Sequence, residues 1–249
     1  MPKVKSRNKS IPESHEITNY YEHPDIKEFM PNYPNPHYEK NQMKTPFYCV
    51  ISGVGGGGKT NCLVNLMQRF DQTFSSMYVL NQEIEPLYEM LQKKIKGIVI
   101  TTKVSELPTF EELGKDKSKQ KLFIFDDMLF SKHSEDYIRT MYKRGRKIGC
   151  SCIFISQSYF AIDDFLRKNL HYLILLGVNS KREIDTILSN YKFEDVDSKQ
   201  LFNIFKKSTE KPLDFLKINV RERDVNRKFS RNFTDYFQIK ANNDDSDDE

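Results

Sequence analysis

The sequence predicts an α/β fold, a three-layer sandwich in which helices cover both faces of a mostly parallel central sheet. Three observations lead there. From Phe47 to Val220, apolar strand-like runs alternate with helix-like segments, the rhythm of consecutive βα units. Runs such as FYCVIS, KLFIF and HYLILL are apolar throughout instead of at every second residue, as strands are when helices cover both sheet faces. The first run then breaks into GVGGGGKT, where five glycines fall within six residues and a lysine follows.

Residues 1–46 hold seven of the ten prolines among polar and aromatic residues and have neither helical nor strand period. An extended proline-rich arm is expected, packed along its own domain or a neighbouring subunit. The second segment, 47–220, contains the alternating pattern. Its strand FYCVIS precedes a helix from Lys59 to about Phe70, then MYVLN, a helix near Glu85 to Lys94, and GIVITT. After a polar loop around Gly114 to Gln120 come KLFIFDD, a helix near Glu135 to Lys147, CSCIFISQS, HYLILLGV and a KREIDTILSNY helix. Beyond about Asp195 the pattern weakens into LFNIFKK and the strand-like PLDFLKINV, expected to extend one sheet edge. The last segment, 221–249, combines the basic stretch RERDVNRKFSRNF with the acidic end DDSDDE, read as a disordered tail.

Gly53 to Thr60 reads G-x-x-x-x-G-K-T between a strand and a helix, the setting a phosphate-binding loop requires. Gly53, Val54, Gly55, Gly56, Gly57 and Gly58 can curl their amides around phosphate oxygens, and the helix N-terminus adds its dipole. Lys59 is placed to reach the outer phosphates, and the Thr60 hydroxyl to ligate magnesium beside a bound ATP. A merely flexible turn does not account for a lysine and a threonine at those offsets. The segment 47–220 is therefore predicted to be a P-loop ATPase domain.

LFIFDD ends a strand in two carboxylates. Asp126 is expected on the metal side, and Asp127 where a carboxylate can orient and deprotonate the attacking water. CIFISQS follows as a further strand ending at Gln157, the candidate sensor of the γ-phosphate. Between them MYKRGRKIG carries Lys143, Arg144, Arg146 and Lys147. A guanidinium from this run can serve a neighbour's γ-phosphate, although charges at a helix end also complement the dipole.

No apolar run nears the roughly 20 residues of a membrane span, and the charged start MPKVKSRNKS leads into no signal-peptide core. A soluble, intracellular chain without a membrane span is expected. Cys49, Cys62, Cys150 and Cys152 lie in apolar segments without zinc or disulfide spacing, so they read as small core residues. The five histidines are scattered and none stands by a serine or cysteine nucleophile, which leaves triad-type hydrolysis without players. Net charge is +4, and because the tail contributes five acids the body before it carries +9, a balance that suits a polyanionic partner.

GVGGGGKT, LFIFDDM, RGRKIGCSCIFISQS and NLHYLILLGVNSKREIDTIL together resemble the FtsK/HerA superfamily of DNA-pumping ATPases, over about Phe47 to Asn190. The compact size, the Asp-Asp ending and the proline-rich arm are most similar to the poxvirus-type genome-packaging ATPases of large DNA viruses and their virophages. The resemblance implies that Lys59 and Thr60 hold ATP and Mg2+, that Asp126 and Asp127 serve metal and water, and that Gln157 is the sensor. It also implies that Arg146, three residues before Gly149, is the trans-acting arginine, with Arg144 as the other candidate. Where the bacterial translocases have Asp-Glu, this chain has Asp-Asp. The implied machine is a homo-oligomeric ring of five or six subunits at a capsid vertex, working in the host cytoplasm or viral factory, or on the virion. It threads double-stranded DNA by non-specific backbone contacts, for which Arg221 to Arg231 and the Lys206, Lys207 pair are candidates. A small nucleoside or nucleotide kinase and a nucleotide-binding assembly protein are the alternatives.

Overall fold

The computed structural model describes residues 18–128, 132–177, 181–191 and 196–239. The acidic tail and the first residues of the arm lie outside them. The chain separates into two compact units, Met1–Asn32 and Tyr33–Glu249. In the first, Asn19 caps a 3-10 turn at Tyr20–Glu22, His23 caps the short helix α1 (Pro24–Lys27), and Tyr20, Tyr21 and Phe29 are exposed.

The second unit begins well before Phe47. A helical turn α2 (Tyr38–Asn41) precedes β1 (Tyr48–Ser52), and Asn41 and Met43 are fully buried. A segment with no period can still be held by its side chains: Asn41 Nδ2 donates to the Arg69 carbonyl at 3.1 Å, and Asn35 Nδ2 to the Met43 carbonyl at 2.8 Å. After β1 the elements alternate as α3 (Lys59–Arg69), β2 (Ser76–Asn81), α4 (Pro86–Lys94), β3 (Ile98–Thr101), α5 (Phe110–Gly114) and β4 (Lys121–Asp126). Then come α6 (Lys132–Arg144), β5 (Cys150–Ser156), α7 (Asp164–Lys168), β6 (Tyr172–Leu175), α8 (Lys181–Ser189) and α9 (Ser198–Ser208). A final run of β7 (Leu216–Asn219), β8 (Phe229–Arg231) and β9 (Asp235–Tyr236) closes the sheet.

The described strands form one sheet in the order β3-β2-β4-β5-β1-β6-β7-β8-β9. β1 to β6 are parallel, and β7 to β9 add an antiparallel edge. Continuous apolar runs become strands buried on both sides. Val50, Phe123, Phe125, Cys152 and Phe154 pack into one core layer, and Cys49, Ile51, Leu122, Ile124, Ile153 and Ile155 into the other. All four cysteines are buried and unpaired.

Two parts of the C-terminal region were weak in the sequence. LFNIFKK belongs to α9, an amphipathic helix started by a capping box between Asp197 and Gln200. The basic stretch is partly absorbed into the sheet: Phe229 is fully buried, and Arg231 Nε donates to Asp214 at 2.9 Å.

β7 also carries Lys217, which is 1% exposed. Its ammonium donates to the carbonyls of Asn41, at 3.0 Å, and of Phe233, so one side chain joins the pre-β1 segment to the last turn of the sheet. Burial pushes its pKa down to about 7. Above that pH the unfolded chain retains a proton the folded chain releases, so this group makes stability rise with pH. The buried cysteines, whose thiols burial pushes up, act oppositely once unfolded thiols ionise near pH 8.5. Between pH 7 and 8, urea titrations should show stability rising by about 1 kcal/mol. Lys217→Met should lose that slope; parallel profiles for the two proteins would remove the assignment.

Candidate functional site

The register of four neighbouring strands brings their carboxyl ends into one row. Ser52 of β1 pairs with Ser156 of β5, Asp126 of β4 with Ile155, and Asn81 of β2 with Asp126. The next residue on each chain, Gly53, Gln157, Asp127 and Gln82, therefore stands at the same sheet edge. The strand order turns back at β1, and such an edge is where open α/β sheets take their ligands.

The glycine loop leaves β1 and is anchored on both sides, by Gly53 N–H to the Ser156 carbonyl (3.3 Å) and Val54 N–H to the Gly177 carbonyl (3.1 Å). Glycine is required at its two ends. A Cβ on Gly53 would stand 2.8 Å from Leu176 Cβ, and Gly58 has φ +91° with Leu213 Cδ2 2.6 Å from where a Cβ would be. Gly58 is the N-cap of α3, which directs that helix terminus at the cavity. Lys59 Nζ folds back to the carbonyls of Gly53 and Val54, each at 3.0 Å. Burial lowers its pKa, against the charges of Asp127, Asp126 and Glu85, which raise it.

The loop and the strand tips enclose a cavity of about 450 Å³, lined by Gly55, Gly56, Gly58, Lys59, Thr60 and Asn61, with Asn81, Gln82, Glu83, Glu85, Asp126, Asp127 and Gln157 opposite. Gly53, Val54 and Gly57 shape the loop behind it; the Gly57 N–H donates to the Val54 carbonyl at 3.0 Å.

The two aspartates have different surroundings. Asp126 is 6% exposed and takes a 2.5 Å hydrogen bond from the Tyr88 hydroxyl. Burial pushes its pKa up to about 6, and the Tyr88 bond opposes that shift. Asp127 sits beyond the strand with φ +46°, a left-handed conformation that aspartate tolerates better than most residues. Three groups hold it: its N–H donates to the Ile155 carbonyl at 3.0 Å, Gln157 Nε2 donates to its Oδ2 at 2.7 Å, and Gln82 Nε2 donates to its carbonyl.

Thr60 and Asp126 bring a hydroxyl and a carboxylate, both hard oxygen donors, to the cavity, which Glu83, Glu85 and Asp127 also line. Among the described residues no group of three or more His, Cys, Asp or Glu forms a protein-built metal cage. One carboxylate and one hydroxyl fit magnesium, which retains waters and takes the rest of its shell from phosphates.

Arg146 is not brought to this cavity. It lies in the 3-10 turn Gly145–Ile148 before β5, at the opposite end of that strand from Gln157. Arg144 stacks its guanidinium over Phe110 at 4.3 Å. Gln82, Glu85 and Tyr88 were missed from the sequence. Gln82 had a visible signal, a polar tip after MYVLN like those after the other strands. Tyr88 had none, because only the packing of α4 on the sheet brings its hydroxyl to Asp126.

Among the described residues, no helix is long and apolar enough to cross a membrane. A comparison with curated proteins finds no match. Among solved structures, the genome packaging NTPase B204 of Sulfolobus turreted icosahedral virus 2, in complex with AMPPCP, matches with a TM-score of 0.55 and 14% identity over 76% of this chain and 98% of that one. Its complex with AMP matches with a TM-score of 0.53, 13% identity and the same coverage. EssC (ATPases 2 and 3) from Geobacillus thermodenitrificans has a TM-score of 0.53 and 12% identity over 81% of this chain and 41% of that one. At such identities the likeness is one of fold: a P-loop NTPase sheet with β5 inserted between the loop strand and the acidic strand. The family model of the Poxvirus A32 protein matches residues 35–219, the arm's end through β7, and so the chain belongs to that family.

Proposed function

We propose that this chain is an ATP-driven translocase of double-stranded DNA that packages a viral genome into a preformed capsid. The observation that carries the reading is the Asp127–Gln157 pair, 2.7 Å apart on adjacent strand tips beside the phosphate loop, in a member of the Poxvirus A32 protein family. The similar B204 is a genome packaging NTPase, and its complexes with AMP, AMPPCP and ATP-gammaS support ATP as the nucleotide here.

In this mechanism the loop amides and Lys59 bind the triphosphate, and Thr60 and Asp126 would hold Mg2+, which when bound would supply positive charge to offset that of the phosphates. Asp127 accepts a proton from the attacking water. The water oxygen bonds to the γ-phosphorus as the bond to the ADP oxygen breaks, and ADP and phosphate leave. Gln157 orients the Asp127 carboxylate, and the γ-phosphate competes for the same amide, which makes the glutamine a sensor of nucleotide state. Aspartate is a methylene shorter than glutamate; the left-handed turn at Asp127 carries the carboxylate beyond the strand end.

The subunits form a homo-oligomeric ring of five or six around the duplex at a capsid vertex, in the host cytoplasm or viral factory, and Arg146 acts on a neighbour's nucleotide. A metabolite kinase is disfavoured by β5, whose sensor tip stands between the loop and the acidic strand.

The test is ATP hydrolysis by the purified chain with and without a duplex. Added DNA should accelerate turnover regardless of sequence, and the stimulation should fade as salt rises, because backbone contacts release counterions. A rate indifferent to duplex excludes the translocase, and transfer of the terminal phosphate to a nucleoside establishes the kinase.

A further inference from the structure

One apolar side chain stands in solvent beside the phosphate loop. Leu213 is 55% exposed, the most exposed large apolar residue of the second unit among the described residues. Its backbone is unusual as well. Pro212 and Leu213 are the central residues of a turn closed by the Asp214 N–H, which donates to the Lys211 carbonyl at 3.1 Å, and Leu213 has φ +70°. Proline followed by a left-handed residue is the type II pattern, whose third position usually holds glycine or asparagine. A leucine there is strained, and so exposed a side chain returns little apolar burial to offset the strain.

The turn is fixed against the loop. Asp214 Oδ2 accepts Arg231 Nε at 2.9 Å, its Oδ1 accepts Asn232 Nδ2 at 2.8 Å, and the next residue, Phe215, is buried. β7 starts here and runs against β6, with Leu216 opposite Leu175, so the turn lies at the same sheet edge as the loop. Leu213 Cδ2 stands 2.6 Å from where a Cβ on Gly58 would be, and Leu176 Cδ2 3.7 Å from it. The loop thus has two different ends. A Cβ on Gly55 would have Gln157 Oε1 at 3.5 Å, on the β5 side, whereas the neighbours of Gly58 are Leu213 and Leu176, on the β6 and β7 side. Phosphates that follow the loop, with the terminal one at Asp127 and Gln157, bring the nucleoside out beside Gly58. The described lining of the cavity offers a base no apolar side chain, only glycines and polar or charged groups.

We infer that Leu213 is the surface on which the base of the bound nucleotide packs. The inference rests on the reading that the loop holds ATP with its terminal phosphate toward Gln157. The flat face of a base is largely apolar, and a nonpolar side chain that removes it from water stabilises the complex. The strained turn presents that side chain before the nucleotide arrives, and the bonds of Asp214 to Arg231 and Asn232 hold the turn there. A leucine meets the face of a base and not its hydrogen-bonding edge. The contact therefore favours a nucleoside triphosphate over a bare triphosphate without choosing among bases.

Leu213→Asn tests the contact, because asparagine suits the left-handed position and retains the turn while the apolar surface is lost. Calorimetric titrations of the full chain in Mg2+ buffer compare ATP with inorganic triphosphate, which has no base. ATP affinity should fall about tenfold, since the nucleotide can cover the half of the leucine that faces solvent, and triphosphate affinity should stay as it is. Leu213→Met, which retains an apolar side chain, should bind ATP as the wild type does. Without nucleotide, Leu213→Asn should melt no lower than the wild type, the sign of a leucine placed for a ligand and not for the fold. Unchanged ATP affinity in Leu213→Asn, or a loss in Leu213→Met as large as in Leu213→Asn, overturns the contact. Equal losses for ATP and triphosphate together with a lower melting temperature assign Leu213 to the fold and overturn it too. Ile84, also exposed, lies between Glu83 and Glu85 on the β2 side of the cavity. If Ile84→Asn loses ATP affinity and Leu213→Asn does not, the base lies there and the assignment is wrong. A wild-type chain that binds neither ATP nor triphosphate overturns the functional reading itself, and the contact with it.

Discussion

Asp127→Asn is expected to lower ATP turnover by about a thousandfold, the upper part of the range for loss of a general base, while nucleotide affinity is retained. The substitution is informative because it preserves the local structure. Asparagine tolerates the left-handed conformation that residue 127 adopts, and its side-chain oxygen can still accept the Gln157 amide. The backbone bonds to Ile155 and Gln82 do not involve the side chain. What disappears is the capacity to accept a proton from water. The measurement is single-turnover hydrolysis beside equilibrium binding of a fluorescent ATP analogue. Turnover within about tenfold of wild type would move the base elsewhere, to Glu83 or Glu85, the other glutamates that line the same cavity. A chain that retains its biological role without turnover would instead be a nucleotide-binding assembly protein.

Lys59→Ala is expected to weaken ATP binding about a hundredfold, the equivalent of one or two charge-assisted hydrogen bonds, and turnover should be lost with it. The ammonium also shapes the loop. It bonds the carbonyls of Gly53 and Val54, so it ties the start of the loop to the first turn of α3. It is also the positive charge opposite Asp126, Asp127 and Glu85. Removing it leaves the carboxylates of the cavity facing an incoming triphosphate, and their repulsion adds to the lost bonds. Calorimetric titration with ATP measures the loss, and affinity near wild type would mean that the loop amides alone bind the nucleotide.

Lys59 and Thr60 were legible as residues of the cavity because a glycine loop followed by a helix places them at fixed offsets. Asp126 and Gln157 were legible for a related reason, as polar residues that end long apolar runs. Tyr88 and Glu85 were not, since a tyrosine and a glutamate early in a helix look the same whether they face a cavity or water. The packing of α4 alone sets the Tyr88 hydroxyl 2.5 Å from Asp126. The segment from Tyr33 to Pro46 has no period, and what ties it to the domain, so that Asn41 and Met43 are buried, is asparagine side chains and the Lys217 ammonium, contacts that leave no pattern in a sequence.

By itself the sequence determined the class of fold and the polar residues that end three of its strands, because hydrophobic periodicity and the glycine loop both act over a few neighbouring residues. Only the tertiary structure decided which tips meet. β5 could have joined the sheet at an edge, and its place between β1 and β4 is what sets Gln157 against Asp127. Strand order depends on how helices on both faces share the buried surface, a property of the packed whole that no local pattern carries.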